Sequence, residues 1–295
     1  MSEQIINDPI HYSNWLELLG FETLENALKL IQQGIPENFH KDSWTGKIEK
    51  ANAIVNNISK RQEAQPEIKE LDSKYNERMV MLQNESTFNE HLIGMKSHKF
   101  ALIELERIHC FQKMVNMEYI ESLMQQAPAP DNMDEAVKFC LPTRDEKPKN
   151  KILSTFNSQT NTLIFATDNP DSRILGNVQG EDQNSGRSFA GFIYGFGLPQ
   201  ISVVKYKGVY LIKNGYHRAV TLLKKGHKFL PCLLLETDEY QFTGAQAPNF
   251  FPIDLIMSNK SPMLFDFQTN AAVIVPSRRL KVAITMHAEI QILPI

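Results

Sequence analysis

Apolar positions in the first 126 residues recur at three- and four-residue intervals, which predicts a mostly helical region. Phe21, Leu24, Leu28 and Ile31 form one stripe; Thr23 stands where an N-cap is needed, and Gly34 followed by Pro36 ends the element. Ile48, Ala51, Val55 and Ile58 predict a second helix over about 45–62. Ile68, Leu71, Tyr75, Met79 and Leu82, with Glu, Lys and Arg on the other face, predict a third over about 66–84. The last two form an amphipathic helical hairpin broken near Pro66. This pattern fits either a helical domain's own core or a partner-binding arm.

Beyond Met124 the pattern changes. Ala127-Pro128-Ala129-Pro130 and Arg144 to Lys149 read as loop, the second as a solvated charge run. Ile152–Phe156 and Thr162–Phe165, separated by a polar stretch, predict a β-hairpin. Residues 176–191, rich in Gly, Asn and Gln, read as a long loop, either a lid over a ligand or ordinary surface. Ile201–Val204 and Val209–Ile212 predict two strands joined at Lys207-Gly208. A helix from His217 to Lys225 follows, stopped by Gly226, and then a buried strand from Phe229 to Leu235. The tail from Ala271 to Ile295 reads as a terminal pair of strands.

Composition narrows the class. Hydrophobic residues make up 42% and charged residues 22%, as in ordinary globular chains. A net charge of −3 supplies no global basic field for nucleic acid or membranes. Three widely spaced cysteines contain no CxxC pair, and no apolar run approaches the length needed to cross a bilayer. The start, MSEQIINDPIHYSNW, has no cationic stretch followed by an apolar core, so no signal peptide is expected. These features lead to an expectation of a cytoplasmic protein with reduced thiols and no membrane contact.

One constellation carries chemistry. Strand, tight turn, helix and strand follow in order across Val209–Leu235, and Asn214-Gly215-Tyr216-His217-Arg218 occupies the turn. Gly215 permits a positive φ and close approach of a ligand. The opening helix offers free N–H groups and the positive end of its dipole to a phosphate. Arg218 adds a planar donor fork and His217 a further donor. The alternative is a structural strand-to-helix turn. Asp168, Asp171 and Arg173 sit in Thr167–Arg173, where the carboxylates suit either a metal beside a nucleotide or a Pro-containing turn. Arg187 is placed to reach a phosphate if the Gly-rich loop closes. Lys224, Lys225 and Lys228, with Arg278, Arg279 and Lys281, form a basic patch only if the two stretches meet. The eight histidines show no metal-ligand spacing, and no metal site is assigned.

Phe196-Gly197-Leu198-Pro199-Gln200-Ile201-Ser202-Val203-Val204, with Tyr210-Leu211-Ile212-Lys213-Asn214-Gly215-Tyr216-His217-Arg218-Ala219, resembles the ParB/sulfiredoxin-like superfamily over about 196–236. Ile103–Ile108, Phe111-Gln112 and Asn116–Leu123 are similar to its opening strand and first helix, some 75 residues upstream. The resemblance implies an α+β fold: a helical domain over 1–98, then a ParB-like α/β domain over 99–295 with an insertion at about 127–195 and C-terminal strands. It also implies a nucleoside triphosphate with Mg²⁺ on Asn214, Gly215, Tyr216, His217 and Arg218, with Arg187 in reach. Tyr216 replaces the sulfiredoxin cysteine and the glutamate of the segregation proteins, so binding is expected more than catalysis. Tyr216 and Asp171 are the candidate catalytic groups for an NTPase or phosphotransferase. A non-catalytic protein-interaction module and a DNA-binding or DNA-processing protein are the alternatives.

Overall fold

The computed structural model describes residues 12–58, 65–85, 88–146, 153–167, 172–182, 186–196, 199–247, 249–278 and 282–287. Helices and strands are mixed, an α+β composition. The chain divides into two compact units: one formed by 1–147 and 199–278, the other by 148–198 and 279–295. The boundary expected at 98 falls inside the first unit, because Leu71, Tyr75 and Leu82 share one apolar core with residues far downstream, such as Val203 and Leu222.

In the first unit, a sheet in the order β12-β1-β4 uses β1 (Tyr12–Glu17), β4 (Met114–Asn116) and β12 (Val273–Arg278). Helices α1 (Leu24–Gly34) and α2 (Lys41–Asn56) cover it, burying Leu28, Ile31, Trp44, Ile48 and Val275. α1 begins where Thr23 accepts a hydrogen bond from the Asn26 N–H, as its sequence predicts. The predicted helix at 66–84 is shorter. β2 (Ile68–Glu70) is an edge strand with Ile68 opposite Ile103, and only after Asp72 accepts from the Lys74 N–H does α3 (Asn76–Gln83) begin. Strand pairing has overridden helical periodicity there. α4 (Phe88–Leu92) follows.

The main sheet has the order β10-β9-β11-β3-β2, with β3 (Ser97–Glu104), β9 (Ser202–Tyr206), β10 (Val209–Asn214) and β11 (Phe229–Glu236). Only β9 and β11 run parallel, the crossover between them being α7 (Tyr216–Lys225). The β9–β10 turn has Lys207 at φ 45° and Gly208 at φ 82°, the geometry of a two-residue type I′ hairpin. β3 lies antiparallel beside β11, and α5 (Met117–Gln126) packs on α7, so stretches far apart in sequence form one layer pair. α6 (Met133–Cys140) and the short α8 (Ile253–Ile256) complete this unit.

The second unit holds a sheet β13-β6-β5, made of β5 (Leu153–Asn157), β6 (Thr162–Thr167) and β13 (Val282–His287). A ribbon of β7 (Ser172–Asp182) and β8 (Arg187–Phe196) stands beside it in the chain. The expected hairpin over 152–165 is present as β5–β6. The expected Gly-rich loop is instead a long antiparallel ladder in which Val178 faces Gly191 and Asp182 faces Arg187. Main-chain pairing satisfies the backbone polar groups that a loop would leave to water. The tail's two strands do not pair with each other: β12 joins β1 and β13 joins β6.

Candidate functional site

Asn214 to Arg218 occupy the β10–α7 junction, as their spacing predicts. Gly215 is left-handed at φ 95°, and a Cβ there would stand 2.6 Å from Cγ1 of the fully buried Ile201. Glycine is therefore required twice, by backbone conformation and by space. No side chain caps α7, so its opening turn is the kind of amide-rich, positive end that seats an anion. Gly215, His217 and Arg218 each keep part of their surface exposed.

The side chains at this turn point elsewhere. The Tyr216 hydroxyl is buried and accepts the N–H groups of Phe111 at 2.9 Å and Gln112 at 3.1 Å. Burial holds its pKa well above the ordinary tyrosine value, so the phenol stays protonated. His217 Nε2 accepts the Asn116 N–H at 3.0 Å, which places the ring hydrogen of the neutral form on Nδ1. Burial, with Arg218 beside it, brings the His217 pKa down to about 4. The Tyr119 ring packs edge-on against the imidazole at 5.0 Å.

Arg218 donates from Nη1 to the Phe139 carbonyl at 2.9 Å and the Cys140 carbonyl at 3.5 Å, and from Nη2 to the Pro199 carbonyl. Phe139 and Cys140 precede residues 148–198, and Pro199 follows them, so one guanidinium fastens both ends of that segment. The Ile201 N–H to the Cys140 carbonyl (2.9 Å) and Gln200 Nε2 to the Pro142 carbonyl (3.3 Å) reinforce the same neck. Asn214 Nδ2 donates to the Gln200 carbonyl at 2.9 Å, so its side chain serves the neck too. The turn's side chains thus each bind a different piece of backbone.

Arg187 is exposed at the end of the β7–β8 ribbon, in the second unit. Asp168, Asp171, Arg279 and Lys281 lie outside the described residues. Lys228 pairs with Glu67 and Arg278 with Glu37. Among the described residues no cluster of His, Cys, Asp and Glu is placed to hold a metal, and no helix is long and apolar enough to cross a membrane.

Two titratable groups with shifted pKa values, Glu17 and Lys213, escaped the sequence reading. Glu17, at the end of β1, faces Met114 in the β1–β4 pairing. Burial, then the Glu22 carboxylate, raises its pKa to about 7, and Lys113 opposes the rise. Lys113 itself pairs with Glu22 at 2.7 Å. Lys213, half-buried at the β10 bulge, has its pKa lowered by burial. The available signal was a charge set inside an apolar run, in Leu16-Glu17-Leu18-Leu19 and Leu211-Ile212-Lys213. Perturbed titration around one junction is a recognised mark of a functional site. No protein-family model matches this chain, and no curated protein or solved structure gives a significant match.

Proposed function

We propose that this chain is a nucleotide-phosphate-binding protein whose anion seat is the backbone of α7's first turn. The observation that carries the reading is the uncapped helix opening on a left-handed, sterically required Gly215. The adjacency of β3 with β11 and of α5 with α7 supports the ParB/sulfiredoxin-like resemblance on which the ligand class rests. Tyr216, His217, Arg218 and Asn214 act in this reading by holding the turn's frame. Mg²⁺ would arrive with the nucleotide. An NTPase or phosphotransferase step is an extension of the reading, with Asp171 as its remaining candidate group.

A thermal-shift screen of ATP, CTP, GTP and UTP, each with and without Mg²⁺, tests it. A nucleotide present at a hundredfold excess over its dissociation constant stabilises the native state by about 2.7 kcal/mol. A clear rise in Tm with one nucleotide is expected, and no rise with any of them would remove the proposal. A second reading, a protein-interaction module, is favoured by Val80 and Met81 of α3, which are 54% and 50% exposed. Under it, Val80→Ser with Met81→Ser releases a co-purifying partner without lowering Tm. A partner retained at full yield would count against that second reading.

A further inference from the structure

Lys213 stands two residues before Gly215 and is the extra residue of a β-bulge. Ile212 faces Val203 and Asn214 faces Ser202, which leaves Lys213 without a partner on β9. Its stem lies along Gly244, where a Cβ would meet Lys213 Cγ at 3.5 Å, Cε at 3.9 Å and Phe111 Cζ at 3.8 Å. The Phe111 ring in turn packs edge-on against Tyr216, the first residue of α7, with centroids 5.5 Å apart. Chain connection and this ring contact both set the Lys213 stem at the opening end of α7.

The charge there is uncompensated. Other cations of this unit have partners: Lys205 pairs with Glu236, Lys228 with Glu67 and Lys113 with Glu22, and Arg218 donates to carbonyls. Among the described residues no hydrogen bond or ion pair reaches the Lys213 ammonium. The side chain is half-buried, and burial lowers its pKa with no neighbouring carboxylate to raise it again. The uncapped start of α7 is a second positive centre at the same junction. Two like centres close together, neither answered by a carboxylate of the chain, repel each other. An anion that spans both relieves that repulsion.

We propose that Lys213 takes the second phosphate of a polyphosphate ligand whose first phosphate sits on the α7 amides. The inference rests on the reading of that turn as a phosphate seat, and it narrows the ligand. Two adjacent phosphates are needed, so nucleoside di- and triphosphates gain a contact that monophosphates lack. Lys213 also replaces Arg218 as the side-chain cation of the site, because the Arg218 guanidinium is committed to the neck. A compact ammonium on a four-carbon stem serves a phosphate as a point charge, with no need of a planar fork.

Isothermal titration of the full chain with inorganic tripolyphosphate and with orthophosphate tests this in wild type and Lys213→Met. Methionine keeps an unbranched stem over Gly244 and removes the charge. Tripolyphosphate should bind wild type in a saturable way, and Lys213→Met should weaken it by about tenfold or more, as loss of one charge-assisted hydrogen bond does. Orthophosphate, which has no second phosphate, should bind both proteins alike. Without ligand, Lys213→Met should raise the urea midpoint, because a half-buried, unpaired charge has been removed. Equal tripolyphosphate affinity in the two proteins would overturn the role of Lys213 and leave the phosphate seat standing. An equal loss for orthophosphate, or a lowered midpoint for the unliganded variant, would do the same. No binding of tripolyphosphate to wild type at about 10 mM, well beyond millimolar affinity, would remove the seat and this inference together.

Discussion

Arg218→Ala is expected to lower stability by about 4 kcal/mol, from the loss of two charge-assisted hydrogen bonds of roughly 2 kcal/mol each. An Arg218 that only touched phosphate would instead lose nucleotide binding with the melting temperature nearly unchanged. The difference comes from where the guanidinium goes. Its Nη1 and Nη2 hold the Phe139 and Pro199 carbonyls, on either side of the 148–198 segment. Truncation leaves those acceptors without their donor and loosens the neck. Arg218→Lys should recover little, because one ammonium cannot reproduce a planar fork reaching two segments. Urea unfolding of wild type, Arg218→Ala and Arg218→Lys measures this. If Arg218→Ala unfolds at the wild-type midpoint, the clamp is not what holds the neck.

Elements with a strong local signal were legible in the sequence. α1 follows from its stripe and Thr23 cap, the β9–β10 hairpin from Lys207-Gly208, and α7 from its stripe and the Gly226 stop, which sits at φ 89°. Elements decided by distant partners were not. Ile68 sits at a helical interval from Leu71 and Tyr75, yet pairing with Ile103 makes it a strand. The two C-terminal strands are close in sequence but are claimed by β1 and β6 in separate sheets. The candidate site shows the same division. Gly215 was readable because its requirement is local to the turn. The partners of Tyr216, His217 and Arg218 lie about 20 to 105 positions away, and no sequence spacing reports them. A polar residue at a turn reads as a ligand contact until its carbonyl or amide partner is seen.

His217 and Glu17 should give this protein two opposing pH dependences that mask each other. Both act on the segment Lys113–Asn116, Glu17 from β1 and His217 from α7. His217 falls from 6.5 to about 4 on folding, because burial disfavours the imidazolium and protonation of Nε2 would also break its bond to the Asn116 N–H. Its contribution is complete above about pH 6.5 and is lost as pH falls toward 4, a change of roughly 3 kcal/mol. Glu17 rises from 4.5 to about 7 on folding, so its burial is free of cost below about pH 4.5 and destabilises increasingly as pH rises through 7. That change is also roughly 3 kcal/mol, with the opposite sign. Between pH 4.5 and 6.5 the unfolded chain holds one extra proton on His217 and the folded chain one extra on Glu17, so the slopes cancel. Glu17→Gln leaves only the histidine, and stability should fall by about 1.4 kcal/mol per pH unit on acidification in that window. His217→Gln keeps an acceptor for Asn116 and leaves only the carboxyl, so stability should fall at the same rate as pH rises. Carboxylates whose pKa values are lowered, such as Glu146, are common to all three proteins and drop out of the differences. Urea midpoints at half-unit steps across this window decide the matter. Parallel curves for the two variants would show that neither group changes its protonation on folding, and the pairing of Glu17 with His217 would fall.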